Sequence, residues 1–123
     1  MKNRHTSCIF HELSEWHREV LSRLLNAPFS GQPELKAQVL AARFRVIDDN
    51  QSLEIIPTSS VPAPIIKTVP VWVSAADEDG VPIELLLFTR HGSAYMLEVL
   101  RADGEQVKRL PPGISLKIMV LGV

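Results

Sequence analysis

What most limits the folds open to this chain is a change of apolar period at Ala42. Before it, apolar residues recur every three or four positions; after it they alternate, and turn-forming residues interrupt the alternation at short intervals. Side chains three or four apart share one face of a helix, whereas alternating side chains share one face of a strand. Helices first and strands afterwards is the pattern of an α+β domain, not of repeated βαβ units.

Ser14 is placed to cap a helix that runs through Leu25, with Leu13 just before it and Trp16, Val20, Leu21, Leu24 and Leu25 forming one apolar stripe. Trp16 is assigned to the core. Glu15, Arg18, Glu19, Ser22 and Arg23 make the opposite, solvated face, and Pro28 with Gly31 closes the segment. Pro33 suits the first turn of a second helix, where its missing N–H costs nothing, and Glu34 suits the positive end of the helix dipole. Leu35, Val39 and Leu40 are its expected buried side.

The strands follow. Phe44 and Val46 face one way and Arg43, Arg45 and Ile47 the other, and Asp48-Asp49-Asn50-Gln51 turns the chain into Leu53 to Ile56 as a hairpin. Pro57, Pro62, Pro64 and Pro70 bracket a loop that cannot donate regular ladder bonds and is expected to cross the sheet edge, carrying Ile65 and Ile66. Val71 to Ala76 and Ile83 to Thr89 form a second hairpin around Asp77-Glu78-Asp79-Gly80. His91-Gly92-Ser93 reverses the chain into Tyr95 to Arg101, and Ala102-Asp103-Gly104-Glu105 turns it into Gln106 to Leu110. Ser115 to Leu121 alternates as the last strand. The expectation is two N-terminal helices packed on a mainly antiparallel sheet of five to six strands, one domain over residues 1–123, with 1–10 a loose N-terminal arm.

The central strands are apolar on both faces. Leu85-Leu86-Leu87-Phe88, Met96-Leu97 and Ile118-Met119-Val120-Leu121 place hydrophobic side chains in both phases of the alternation, so both sides of the sheet need cover. Two short helices cover one side, which leaves the other to the Pro-rich loop or to a second protein surface, a homo-oligomer or a partner. Trp72, out of phase with Val71 and Val73, falls on that other side and is a candidate interface anchor.

Composition removes several classes of function. The 123 residues are 46% hydrophobic and 22% charged, ordinary for one globular core, and the formal charge of −1 lacks the basic excess that holds nucleic acid or an anionic membrane. The first ten residues lack the apolar run of a secretory signal, and no apolar run approaches the length needed to span a bilayer. The single cysteine, Cys8, has no internal disulfide partner and reads as a small packed side chain in a reducing, cytoplasmic protein.

Motifs of catalysis are weak. His11-Glu12 and His17 look superficially like a zinc helix, but two ligands on one helical face need four-residue spacing and these histidines are six apart, so they read as surface or capping groups; His5 and His91 have no partner in register. Asp77, Asp79 and Gly80 resemble part of a calcium loop whose closing carboxylate position falls on Phe88, and so read as a turn. Asp48, Asp49, Asp77 and Asp79 are the pool from which a carboxylate pair could be drawn. Ser7, Ser14, Ser59 and Ser60 lack a nucleophile-elbow context, and no phosphate-cradling glycine pattern is present. No cofactor is implied.

Ile47-Asp48-Asp49 through Ser52-Leu53-Glu54, Asp77 to Ile83 with Leu85-Leu86-Leu87, and Leu97-Glu98-Val99 through Arg101-Ala102-Asp103-Gly104 to Leu110-Pro111 resemble, in order and spacing, an uncharacterised family of small bacterial proteins. The resemblance runs from about Glu12 to Pro111. It implies a bacterial origin and a helix-helix-sheet domain, and it gives no residue a catalytic role.

The function expected on these grounds is a non-catalytic protein-binding module, an immunity or antitoxin-like protein, with Asp48, Asp49, Trp72, Asp77 and Asp79 as partner-binding candidates. If the acidic turns share one end of the sheet, they suit a basic partner. The competing reading is a small enzyme or ligand-binding domain with a pocket between helices and sheet, which requires a concave site with convergent polar groups.

Overall fold

A computed structural model describes residues 6–120. Two α-helices, α1 (Glu15–Leu25) and α2 (Gln32–Ala41), accompany seven strands: β1 (Cys8–Ile9), β2 (Arg43–Val46), β3 (Leu53–Ile56), β4 (Val71–Ala76), β5 (Pro82–Arg90), β6 (Ser93–Arg101) and β7 (Lys117–Val120). All neighbours are antiparallel, in the spatial order β1-β2-β3-β6-β5-β4-β7. The fold is thus α+β on an antiparallel sheet, with seven strands where five to six were expected.

The strands themselves depart from the expected ones at two places. Cys8 and Ile9, within the stretch expected to be a loose arm, pair with Phe44 and Arg43; residues 1–5 lie outside the described residues. Gln106 to Leu110, expected as a strand, is not one, because side chains consume its amides. Val107 N–H donates to Asn50 Oδ1, and the Lys108 and Arg109 N–H groups donate to the Asp77 carboxylate. An amide bound to a side chain cannot also form a ladder bond.

Both helices and one face of the sheet share a single hydrophobic cluster. Val20, Leu21, Leu24 and Leu25 of α1 and Leu35 and Val39 of α2 join Phe44, Leu53, Ile55, Val71, Val73, Ile83, Leu85, Leu87, Leu97 and Val99. Ser14 caps α1 by accepting from the His17 N–H at 3.1 Å. Two helix positions differ from the apolar pattern. Trp16 is only partly buried and donates its indole N–H to Pro111 O, while His17 takes the buried place beside Val20 and Leu21. Leu40, expected inside, is 46% exposed at the end of α2.

The Pro-rich loop also lies elsewhere than expected. It docks on the helix side, against α2 and the tip of the β5–β6 hairpin: Ala63 and Ile65 enter the core, Ala63 N–H donates to Gly92 O at 2.8 Å, and Gln38 Nε2 donates to Gly92 O and Val61 O. Thr89, pointing the same way, donates from Oγ1 to Lys67 O and from its amide to Thr68 O. With the loop committed there, it contributes nothing to the opposite face.

Candidate functional site

The opposite face is built by alternation. Along β5, Ile83, Leu85, Leu87 and Thr89 are buried toward the helices, so Glu84, Leu86, Phe88 and Arg90 project from the other side. Pairing registers extend this face across the neighbouring strands. One row reads Met119, Trp72, Leu86, Glu98; the next towards the hairpin tip reads Phe88, Met96, Glu54, Arg45; and the next towards the opposite end reads Lys117, Ser74, Glu84, Leu100. A bulge between Phe88 and Thr89 adds Tyr95 to it, with the Phe88 and Tyr95 rings 6.0 Å apart and the Arg90 guanidinium 4.4 Å over the Tyr95 ring.

Trp72, Leu86, Phe88, Met96, Leu100 and Met119 are partly exposed and lie outside the cluster that unites the helices, the loop and the inner face. They form an apolar band across four adjacent strands. Among the described residues, the charged groups that flank the band are largely uncompensated. Arg45 pairs with Glu54, whereas Glu84, Glu98, Arg90 and Lys117 form no salt bridge. Glu84, in one row with Lys117, stands toward one end of the strands and Arg90 at the other, on the rim of a depression of about 300 Å³ that Lys67, His91 and Tyr95 also line.

No protein-family model, curated protein or solved structure matches this chain.

The acidic candidates lie at the other end of the sheet from the β5–β6 tip, and the turns that carry them do meet. Asn50, in the turn with Asp48 and Asp49, donates to Val99 O and accepts from Val107 N–H, while Arg101, two residues along β6, reaches the 77–80 turn. Their chemistry, however, is directed inward. The Arg101 guanidinium, 6% exposed, binds Asp77 at 2.9 Å, Asp79 at 2.8 Å and Asp103 at 2.9 Å. Both oxygens of the fully buried Asp77 carboxylate are occupied: Oδ1 by the Glu78 and Arg109 amides, Oδ2 by Arg101 and the Lys108 amide. Burial pushes its pKa up, but these bonds outweigh burial and hold the carboxyl far below the usual range. Bonds from Arg101 lower Asp79 and Asp103 as well. Asp48 accepts from the Ser52 amide, which closes its own turn.

Neither Arg101 nor Asp103 stood out in the sequence, although a signal was there. Arg101 follows Leu97 and Val99 in the buried phase of its strand, and an arginine at such a position requires carboxylate partners. Among the described residues, His17 is the other buried titratable group. Its Nε2 lies 2.8 Å from Gln51 O, an acceptor only, so Nε2 carries the proton and Nδ1 accepts from Ser14 Oγ at 2.7 Å. Burial lowers its pKa, opposed in part by the bond to Gln51. The imidazole thereby ties the start of α1 to the β2–β3 turn and is spent on structure.

The seam between helices and sheet is filled along its centre and opens at the β7 edge, where a depression of about 560 Å³ lies between Arg23, Asn26, Ala27 and Pro28 and the β7 residues Ile118 and Val120. The central side chains are at most 1% exposed on α1 from Val20 onward and fully buried at Leu35 and Val39 of α2. The depression bordered by Gln38, Val39, Ala42, Ile55 and Ala94 has no volume for even a water.

Proposed function

We propose that the chain is a non-catalytic protein-binding module whose working surface is the open face of the sheet. The observation that carries this reading is the apolar band of Trp72, Leu86, Phe88, Met96, Leu100 and Met119, which neither the helices nor the Pro-rich loop covers. An uncovered apolar band rimmed by charge gains free energy when a partner excludes water from it, at roughly 25 cal/mol per Å² of apolar surface removed. Trp72 sits inside the band with Leu86 and Met119 on either side, the central position in which an aromatic anchor contributes most to binding.

A narrower version, an immunity or antitoxin-like protein that masks a basic toxin, draws support from the acidic turns sharing one end of the sheet. It gains little from Asp77, whose oxygens are already bound within the chain, and the charge of Asp79 and Asp103 is partly offset by Arg101. The alternative of a pocket between helices and sheet is disfavoured by the filled centre of the seam, and the depression at its β7 edge brings Arg23 and Asn26 together with no acid or base partner among the described residues of its lining.

The test is a paired capture from native-host lysate with tagged wild type and tagged Leu86→Arg. Leu86 lies on the open face, so the substitution spares the core, which equal urea midpoints for the two proteins would verify. Wild type is expected to retain a stoichiometric protein, a second copy of the chain or another, that the variant loses. Identical bound proteins for the two baits would remove the open face as the working surface.

A further inference from the structure

The charge order along β5 points to the occupant of the open face, on the reading that this face is an interface at all. The outward residues of the strand run Glu84, Leu86, Phe88, Arg90: an acid, two apolar groups and a base. A two-fold axis lying between two such faces and crossing β5 at the level of Leu87 superimposes this series on its own reverse. Glu84 then meets Arg90 of a second copy, Leu86 meets Phe88, and both contacts occur twice.

We propose that the open face binds a second copy of this chain, sheet against sheet, with the β5 strands antiparallel across the two-fold axis. Packed sheets stand about 10 Å apart with strands crossing at about 30°, and Glu84 and Arg90 lie roughly 10 Å on either side of the axis. The crossing displaces the opposed ends by only about 5 Å, within the reach of an arginine side chain. The polarity is that of β5 itself: Lys117 of β7 shares the row of Glu84, and Glu54, in the row of Phe88, is compensated by Arg45. Glu98, opposite Leu86, stands one residue to the acidic side of the axis. A uniformly acidic partner would match one end of β5 and oppose the other, and a uniformly basic one would do the reverse. A second copy, turned end for end, matches both. Trp72, Met119 and Leu100 extend the apolar contact to either side of β5.

The experiment is sedimentation equilibrium of the full chain up to about 200 µM, for wild type, Glu84→Arg, Arg90→Glu, and an equimolar mixture of the two variants. Each single substitution places like charges opposite one another at both ends, so each variant is expected to self-associate about 10- to 100-fold more weakly than wild type. The mixture restores both opposite-charge contacts and is expected to form a heterodimer close to wild type in strength, an outcome that a merely misfolded variant cannot produce. Wild type that stays monomeric throughout would overturn the second copy as occupant, while the Leu86-dependent capture of a different protein would still stand. A wild-type dimer abolished by Leu86→Arg but unaffected by either charge substitution would overturn the antiparallel arrangement alone. A dimer indifferent to all three would place self-association elsewhere on the molecule.

Discussion

Neither helix nor loop covers the open face among the described residues, because the Pro-rich loop is held on the helix side, and two glycines allow that docking to be measured. Gly80 and Gly92 both have positive φ, 88° and 77°, so an alanine at either position incurs the left-handed backbone penalty of about 1 kcal/mol. Their surroundings differ. A Cβ at Gly80 meets nothing within 4 Å, whereas one at Gly92 would collide with Ala63 O and lie 2.8 Å from Pro62 Cβ. The obstacle at Gly92 is backbone, so the loop itself must retreat. That movement strains the Ala63 N–H bond to Gly92 O and the Gln38 bond to the same oxygen, each worth about 1 kcal/mol net. Gly80→Ala is therefore expected to cost about 1 kcal/mol and Gly92→Ala about 3 kcal/mol. Urea denaturation of both variants, with the slope held common to wild type, reads the difference as a shift in midpoint. Proteolysis at residues 58–62 adds a local readout, and cleavage should accelerate in Gly92→Ala only. Equal losses in the two variants would refute the docked loop, and with it the reason the opposite face lacks cover.

Two further outcomes bear on the two sides of the sheet and on the buried histidine. Leu85→Ala empties a site with no exposure and is expected to cost about 2–5 kcal/mol, while Leu86→Ala, one residue along on the open face, should cost under about 1 kcal/mol at concentrations where the chain is monomeric; equal costs in thermal or urea unfolding would contradict the assignment of faces. His17 has a folded pKa below its ordinary 6.5, so the unfolded chain takes up the proton first and stability falls as pH drops through 6.5 toward the folded value. The urea midpoint of wild type should accordingly fall more between pH 7.5 and pH 5.5 than that of His17→Gln, and parallel pH profiles would show that His17 does not carry this dependence.

The parts of the fold legible in the sequence are those set by local period. The α1 stripe, the Leu53 to Ile56 strand, the Val71 to Ala76 strand and the alternation of β5 follow from side-chain geometry that needs no distant partner. What escaped is set by contacts between segments far apart in sequence. Cys8 and Ile9 become a strand only because β2 offers an edge. Gln106 to Leu110 has the composition of a strand and is prevented from being one by a carboxylate about thirty residues upstream. The exchange of Trp16 and His17 has the same origin, since Pro111 O offers the indole a partner and Gln51 O offers the imidazole one.

The acidic residues show why composition at a turn is a poor guide to what the turn presents. Asp77, Asp79 and Asp103 lie in turns, where carboxylates are ordinarily solvated, yet the strand register places Arg101 at the point where all three converge. Once the guanidinium is buried there, the carboxylates serve to compensate it, and the acidic end offers a partner less charge than its sequence suggests. On the open face the situation is reversed. Glu84 and Arg90 are unremarkable in sequence, but the pleat directs them outward at opposite ends of an apolar strand, without a salt-bridge partner among the described residues. Charge that the fold leaves uncompensated beside uncovered apolar surface can select a partner by orientation as well as by sign. The reversal of sign along β5 makes orientation the stronger of the two.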